Sequence, residues 1–150
     1  MDKLSKTSEP VEITALAEHI VSAMAAPAWR QNKVQIALEH SRSELWATAD
    51  GQRLRQALVN LLHYAVEHTP PGGVILIVLQ SGESIISISV QDTGESLPPE
   101  HLPHIWERPD QGRYLSVAKV LIESMGGRVT VDSPPGEGKR FTITLPRYVH

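Results

Sequence analysis

The chain contains no cysteine, so neither disulfides nor thiolate metal sites can hold it together. It has no block of lysines and arginines: net charge is −3 and the pI is near 6.1. Without a basic field, neither nucleic acid nor an anionic membrane surface is an expected partner. No apolar run is long enough to span a bilayer, and no secretory signal pattern opens the sequence. Internal repeats are absent as well. The expected setting is cytoplasmic, including the cytoplasmic part of a membrane sensor.

What is present suits a single folded domain. A length of 150 residues with 41% apolar residues is enough for one core and too apolar for disorder. Residues 1–10 are polar and unpatterned and read as a linker or frayed terminus, leaving 11–150 as the domain. Ile13, Leu16, Ala17, Ile20, Val21 and Met24 fall at helical spacing, and Pro27 is expected to close that helix. Val34–Leu38 and Leu45–Ala49 read as short extended segments.

Asp50 is a suitable N-cap for a second helix, whose apolar face runs through Leu54, Ala57, Leu58, Leu61, Leu62 and Ala65. Thr69-Pro70-Pro71-Gly72-Gly73 stops it. Two strands, 74–80 and 85–91, form an expected hairpin. A proline-rich stretch over 97–109 has room for one short helical turn. A third helix spans Tyr114 to Met125 and ends at Gly126-Gly127, and strands at 128–132 and 140–145 flank a Pro/Gly turn. This order implies an α+β two-layer sandwich, with helices on one face of a mixed sheet and a groove between the second and third helices.

The segment Asn60-Leu61-Leu62-His63-Tyr64-Ala65-Val66-Glu67-His68-Thr69-Pro70-Pro71-Gly72-Gly73 resembles the N box of sensor histidine kinase ATP-binding domains, the GHKL superfamily. Further motifs follow in that family's order. Asp92-Thr93-Gly94 resembles the first glycine box, Ile105-Trp106-Glu107-Arg108 the F box, and Gly136-Glu137-Gly138-Lys139-Arg140-Phe141 the G-x-G-T-x-F run. Ordered motifs of this kind are more specific than any one alone. The resemblance covers residues 11–146 and implies a Bergerat-type ATP-binding fold with a mostly antiparallel mixed sheet and three helices on one face.

The resemblance also implies a site. Asp92 would receive the adenine amino group, Gly94 would let the base approach, and Gly112 and Leu115 would belong to the second glycine box. ATP with magnesium is the implied cofactor, and phospho-acceptor helices or a response regulator are the implied partners. No residue is assigned a catalytic role; Asn60 is the one candidate, either touching a phosphate or a water or making only a local hydrogen bond. Several positions depart from the pattern. Tyr64 stands where the family keeps a magnesium-binding Asn, and Glu67 stands where it keeps Lys. Ser96 replaces a glycine, Lys139 replaces the Thr that lines the adenine pocket, and only Pro109, Asp110 and Gln111 separate the F box from Gly112 where the family has a lid.

All these changes fall at nucleotide-contact positions, so the expectation is a degenerate domain acting as a regulatory or interaction module. An active autokinase module is the second reading, and an anti-sigma-like partner-switching protein a third. His101 and His104 lack the third ligand and the rigid support that a metal site needs, and no serine sits in a nucleophile elbow.

Overall fold

The computed structural model describes residues 8–40, 44–107 and 113–149. Strand β1 (Glu9–Glu12) leads directly into helix α1 (Ile13–Asn32), followed by β2 (Gln35–His40), β3 (Trp46–Ala49) and helix α2 (Gly51–Glu67). The hairpin β4 (Val74–Ser81) and β5 (Ile85–Gln91) comes next, then a 3-10 helix (Pro99–Glu107), helix α3 (Tyr114–Ser124), β6 (Arg128–Asp132) and β7 (Arg140–Pro146). The main sheet has the order β2-β4-β5-β7-β6. Only the β2–β4 pair is parallel within it. A separate antiparallel ribbon joins β1 to β3.

Strand alternation sorts the sheet into two faces. Ile75, Ile77 and Leu79 of β4, Ile86, Ile88 and Val90 of β5, and Phe141, Ile143 and Leu145 of β7 are all buried toward the helices. Cross-strand neighbours Ile88 and Ile143, and Val90 and Phe141, lock the register of β5 on β7. The opposite face carries Ser87 opposite Thr144 and Ser89 opposite Thr142, half-buried, which explains why β5 alternates Ile/Val with Ser. Leu54, Leu58, Leu61 and Leu62 of α2 complete the core from the helical layer, each contributing about 1.5–3 kcal/mol by full burial.

The ends of the helices are tied by side chains. Asp50 Oδ1 accepts from the backbone N–H groups of Gln52 and Arg53, as its N-cap position requires. Glu12 caps α1 by accepting from Thr14 and Ala15, and its carboxylate also accepts from Leu45 N, tying the helix start to the chain entering β3.

Two boundaries differ from expectation. Glu9 and Pro10 pair with Ala49 and Thr48, so the strand begins inside the stretch expected to be a linker. Helix α1 does not stop at Pro27 but continues to Asn32. Pro27 removes one backbone donor, yet Ala28 beyond it is buried, and the last turn closes only where Lys33 adopts φ 57° and donates to the Ala28 and Trp29 carbonyls. Packing of the final turns outweighs the local stop signal. The proline-rich stretch is also more regular than expected, forming a nine-residue 3-10 helix that buries its own Ile105.

Candidate functional site

The C-terminal half of α2, the loop leaving β5 and the turn between β6 and β7 meet at one end of the sheet. Asp92 lies at this junction and is 1% exposed. Its Oδ1 accepts from Gly94 N at 2.9 Å and from Lys139 N at 3.1 Å, while its own N–H donates to the Lys139 carbonyl. Its Oδ2 is buried and has no hydrogen-bond donor, and Lys139 Nζ lies 3.5 Å away as an ion-pair contact. Lys139 is itself 3% exposed, and its Nζ donates to the Glu95 carbonyl at 2.9 Å.

Serines fasten the same junction. Ser96 Oγ accepts from Gly138 N at 3.0 Å and donates to the Pro134 carbonyl, and Ser133 Oγ donates to the Gly138 carbonyl while accepting from Leu97 N. Gly138 has φ +75°, and a Cβ there would lie 2.4 Å from the Asp92 carbonyl oxygen, so the turn can close only on glycine. At Gly94 a Cβ would lie 2.5 Å from the His68 carbonyl oxygen. The missing side chain there is therefore required by the end of α2.

The other end of the candidate site is aromatic. Tyr64 is 2% exposed, with its ring stacked on His68 at 4.0 Å between centroids and edge-on to Phe141 at 5.7 Å. Trp106 meets Phe141 edge-on from the 3-10 helix, so the F-box aromatic acts in packing. Asn60, one turn before Tyr64, is buried, and its Oδ1 accepts from Gln56 Nε2 at 2.7 Å. The local hydrogen bond considered for Asn60 is thus made. Glu67 is exposed. Across the helical layer His63 stacks on Tyr114 at 5.3 Å, so α2 and α3 touch directly. Leu115 is buried on α3. Gly112 and the short connection before it lie outside the described residues.

These contacts decide what the arrangement can do chemically. A magnesium ion needs several close oxygen ligands. The Asn60 oxygen already has a donor, and the Tyr64 ring is held in the core. Among the described residues no cluster of three acidic, His or Cys side chains could hold a metal ion, and His101 and His104 are exposed. Asn60 Oδ1 and the Tyr64 ring are thus both engaged within the protein at this end. Asp92 does fit an amino-bearing ring, since Oδ2 has an unused lone pair, but Lys139 lies against it. Withdrawing Lys139 would leave a buried carboxylate unpaired, costing about 3–5 kcal/mol. One hydrogen bond to a charged group returns about 1.5–3 kcal/mol.

Beside this junction, at the start of β7, Arg140 has a displaced pKa. The side-chain hydrogen bond from Arg140 to Asp132 holds the guanidinium above its ordinary pKa, with burial opposing and the Asp132 charge assisting.

The sequence pointed to Asn60, Tyr64, Asp92, Gly94, Gly112 and Leu115; Asn60 and Tyr64 lie in the C-terminal half of α2, Gly94 against its end, Asp92 beside Gly94 and Leu115 on α3, while Gly112 lies outside the described residues. It gave no site role to Glu95, Ser133 or Gly138, although Gly138 belongs to the G-x-G-T-x-F run. Among the described residues no helix is long and apolar enough to cross a membrane.

The family described as "Histidine kinase-, DNA gyrase B-, and HSP90-like ATPase" matches residues 49–149. The adaptive-response sensory kinase SasA of Synechococcus elongatus is 34% identical over 131 residues, covering 80% of this chain and 34% of that protein. The sensor protein DivL of Caulobacter vibrioides is 34% identical over 119 residues, covering 75% of this chain and 16% of that protein. The chain thus spans only about a third, or less, of the curated relatives it matches. Among solved structures, the nucleotide-free catalytic domain of histidine kinase ThkA superposes with a TM-score of 0.84 at 23% identity, covering 93% of this chain and 97% of that one. Full-length ShkA in complex with AMPPNP gives a TM-score of 0.84 at 29% identity over 96% of this chain and 32% of that one. Motif order, sheet topology and these matches agree that the chain belongs to the histidine kinase-, DNA gyrase B- and HSP90-like ATPase family, as a catalytic, ATP-binding-type domain of sensor histidine kinases.

Proposed function

We propose that this domain keeps the family fold but holds Mg-ATP weakly or not at all, and serves a sensor kinase as a regulatory or interaction module. The observation that carries this reading is the burial of Tyr64 between His68 and Phe141, at the position where the family keeps its magnesium ligand. A phenol ring held by two aromatic contacts cannot turn into an oxygen ligand without opening the core. The exposed Glu67, where the family keeps Lys, adds a charge that repels phosphate. Partners on this reading are the phospho-acceptor helices of a histidine kinase or a response regulator. The fold neighbour ThkA was solved in complex with the response regulator TrrA, which makes the second class concrete.

Isothermal calorimetry of the purified chain with Mg-ATP and with Mg-AMPPNP tests the reading. No saturable heat at micromolar nucleotide is expected, and micromolar binding that requires magnesium would overturn it. One observation favours an active autokinase module as a second reading: Asp92 Oδ2 has no hydrogen-bond donor within the protein. Phosphate transfer from ATP to a histidine on a separately supplied kinase dimerisation domain would establish that alternative.

A further inference from the structure

We propose that Lys139 sets base recognition in this chain by acting as a tethered occupant of the carboxylate that would read an amino-bearing ring, an inference that rests on the nucleotide-site reading above and concerns its other end. The argument starts from the two oxygens of Asp92. Oδ1 is fully used by two backbone donors, Gly94 N and Lys139 N. Oδ2 alone is left to receive a ligand, and Lys139 Nζ lies 3.5 Å from it. The lysine and aspartate side chains are 4% and 1% exposed, so this pair is not a solvated surface contact. A second bond, from Lys139 Nζ to the Glu95 carbonyl, fixes the ammonium on the loop side of the carboxylate.

The backbone holds the lysine in place independently of its charge. Asp92 N donates to the Lys139 carbonyl, and Lys139 N donates back to the Asp92 side chain. Ser96 receives Gly138 N and so pins the β6–β7 turn to the loop. The two residues that differ from the family pattern here, Ser96 and Lys139, therefore serve one end: both close the turn over Asp92. Lys139 neutralises the charge of Oδ2 without completing its hydrogen bonding. A planar ring with an exocyclic amino group fits the remaining lone pair once the lysine is removed.

The test uses the full chain and a base-bearing ligand that needs no magnesium, so the Tyr64 end does not enter. A fluorescent N-methylanthraniloyl-ADP is titrated, with EDTA present, into the unaltered chain, Lys139→Thr, Ser96→Gly and Lys139→Thr/Asp92→Asn, each checked for folding by circular dichroism. Lys139→Thr is expected to tighten binding by roughly tenfold or more, and the added Asp92→Asn change to abolish the gain. Ser96→Gly keeps the ion pair and should tighten binding by a smaller, roughly threefold, factor, which keeps the test decisive if Lys139→Thr fails to fold. Folded Lys139→Thr with unchanged affinity, or a gain that survives Asp92→Asn, overturns the proposal. If Lys139→Thr does not fold, unchanged affinity in Ser96→Gly overturns it. Tight magnesium-dependent ATP binding by the unaltered chain would defeat the weakened-nucleotide reading instead, and the ratios between variants would still decide the role of Lys139.

Discussion

The two ends of the candidate site are built by different physics. At the Asp92 end the occupants are an ammonium, a hydroxyl and backbone amides, all polar and joined by discrete bonds. At the Tyr64 end the occupant is a ring continuous with the aromatic and aliphatic core beneath α2. A polar block can be lifted by changing one partner, because the carboxylate behind it is already shaped to accept. A packed ring cannot be lifted in the same way, because its removal leaves a hole.

The largest effect that separates the ends is expected at Tyr64. Replacing it with Ala removes a buried ring and should cost about 3–5 kcal/mol in urea denaturation. Tyr64→Asn restores the family residue in name only. It should destabilise by a similar amount and still show no tight Mg-ATP binding, because Asn60 remains bonded to Gln56 and Glu67 remains acidic. Recovery of micromolar binding by that single change would erase the contrast between the ends. Next, Lys139→Met should cost about 3 kcal/mol by leaving the Asp92 carboxylate buried without its counter-charge, and Asp92→Asn in the same chain should return most of the loss. A double-mutant cycle checks this, and additivity would mean that the pair is not coupled.

Asp50→Ala weakens only the start of α2 and should cost about 1 kcal/mol. It serves as a reference for general loosening of the helix and should leave nucleotide affinity unchanged. Glu67→Lys is the smallest expected change, within about 0.5 kcal/mol in stability because the residue is exposed.

Most of the fold was legible in the sequence because binary patterning and stop signals agreed. The α2 stripe, the 74–91 hairpin and the final hairpin all lie where alternation placed them. The extension of α1 past Pro27 was not legible, since it goes with a burial of Ala28 that the local stop signal does not show. The site was legible as a set of positions but not as a set of contacts. Lys139 could be seen to replace a smaller residue. That its ammonium turns inward to Asp92 depends on the Gly138 turn and on the Ser96 and Glu95 loop, which only the folded chain brings together.

The clamp between the 92–97 loop and the β6–β7 turn joins residues 47 apart in the chain, Asp92 and Lys139. We expect such a closure to form once β5 and β7 have paired, late in folding. Loosening it should therefore quicken unfolding and leave the refolding rate nearly untouched. The domain's lifetime in its closed form, more than the speed with which it assembles, would then be set by the same few bonds that guard Asp92.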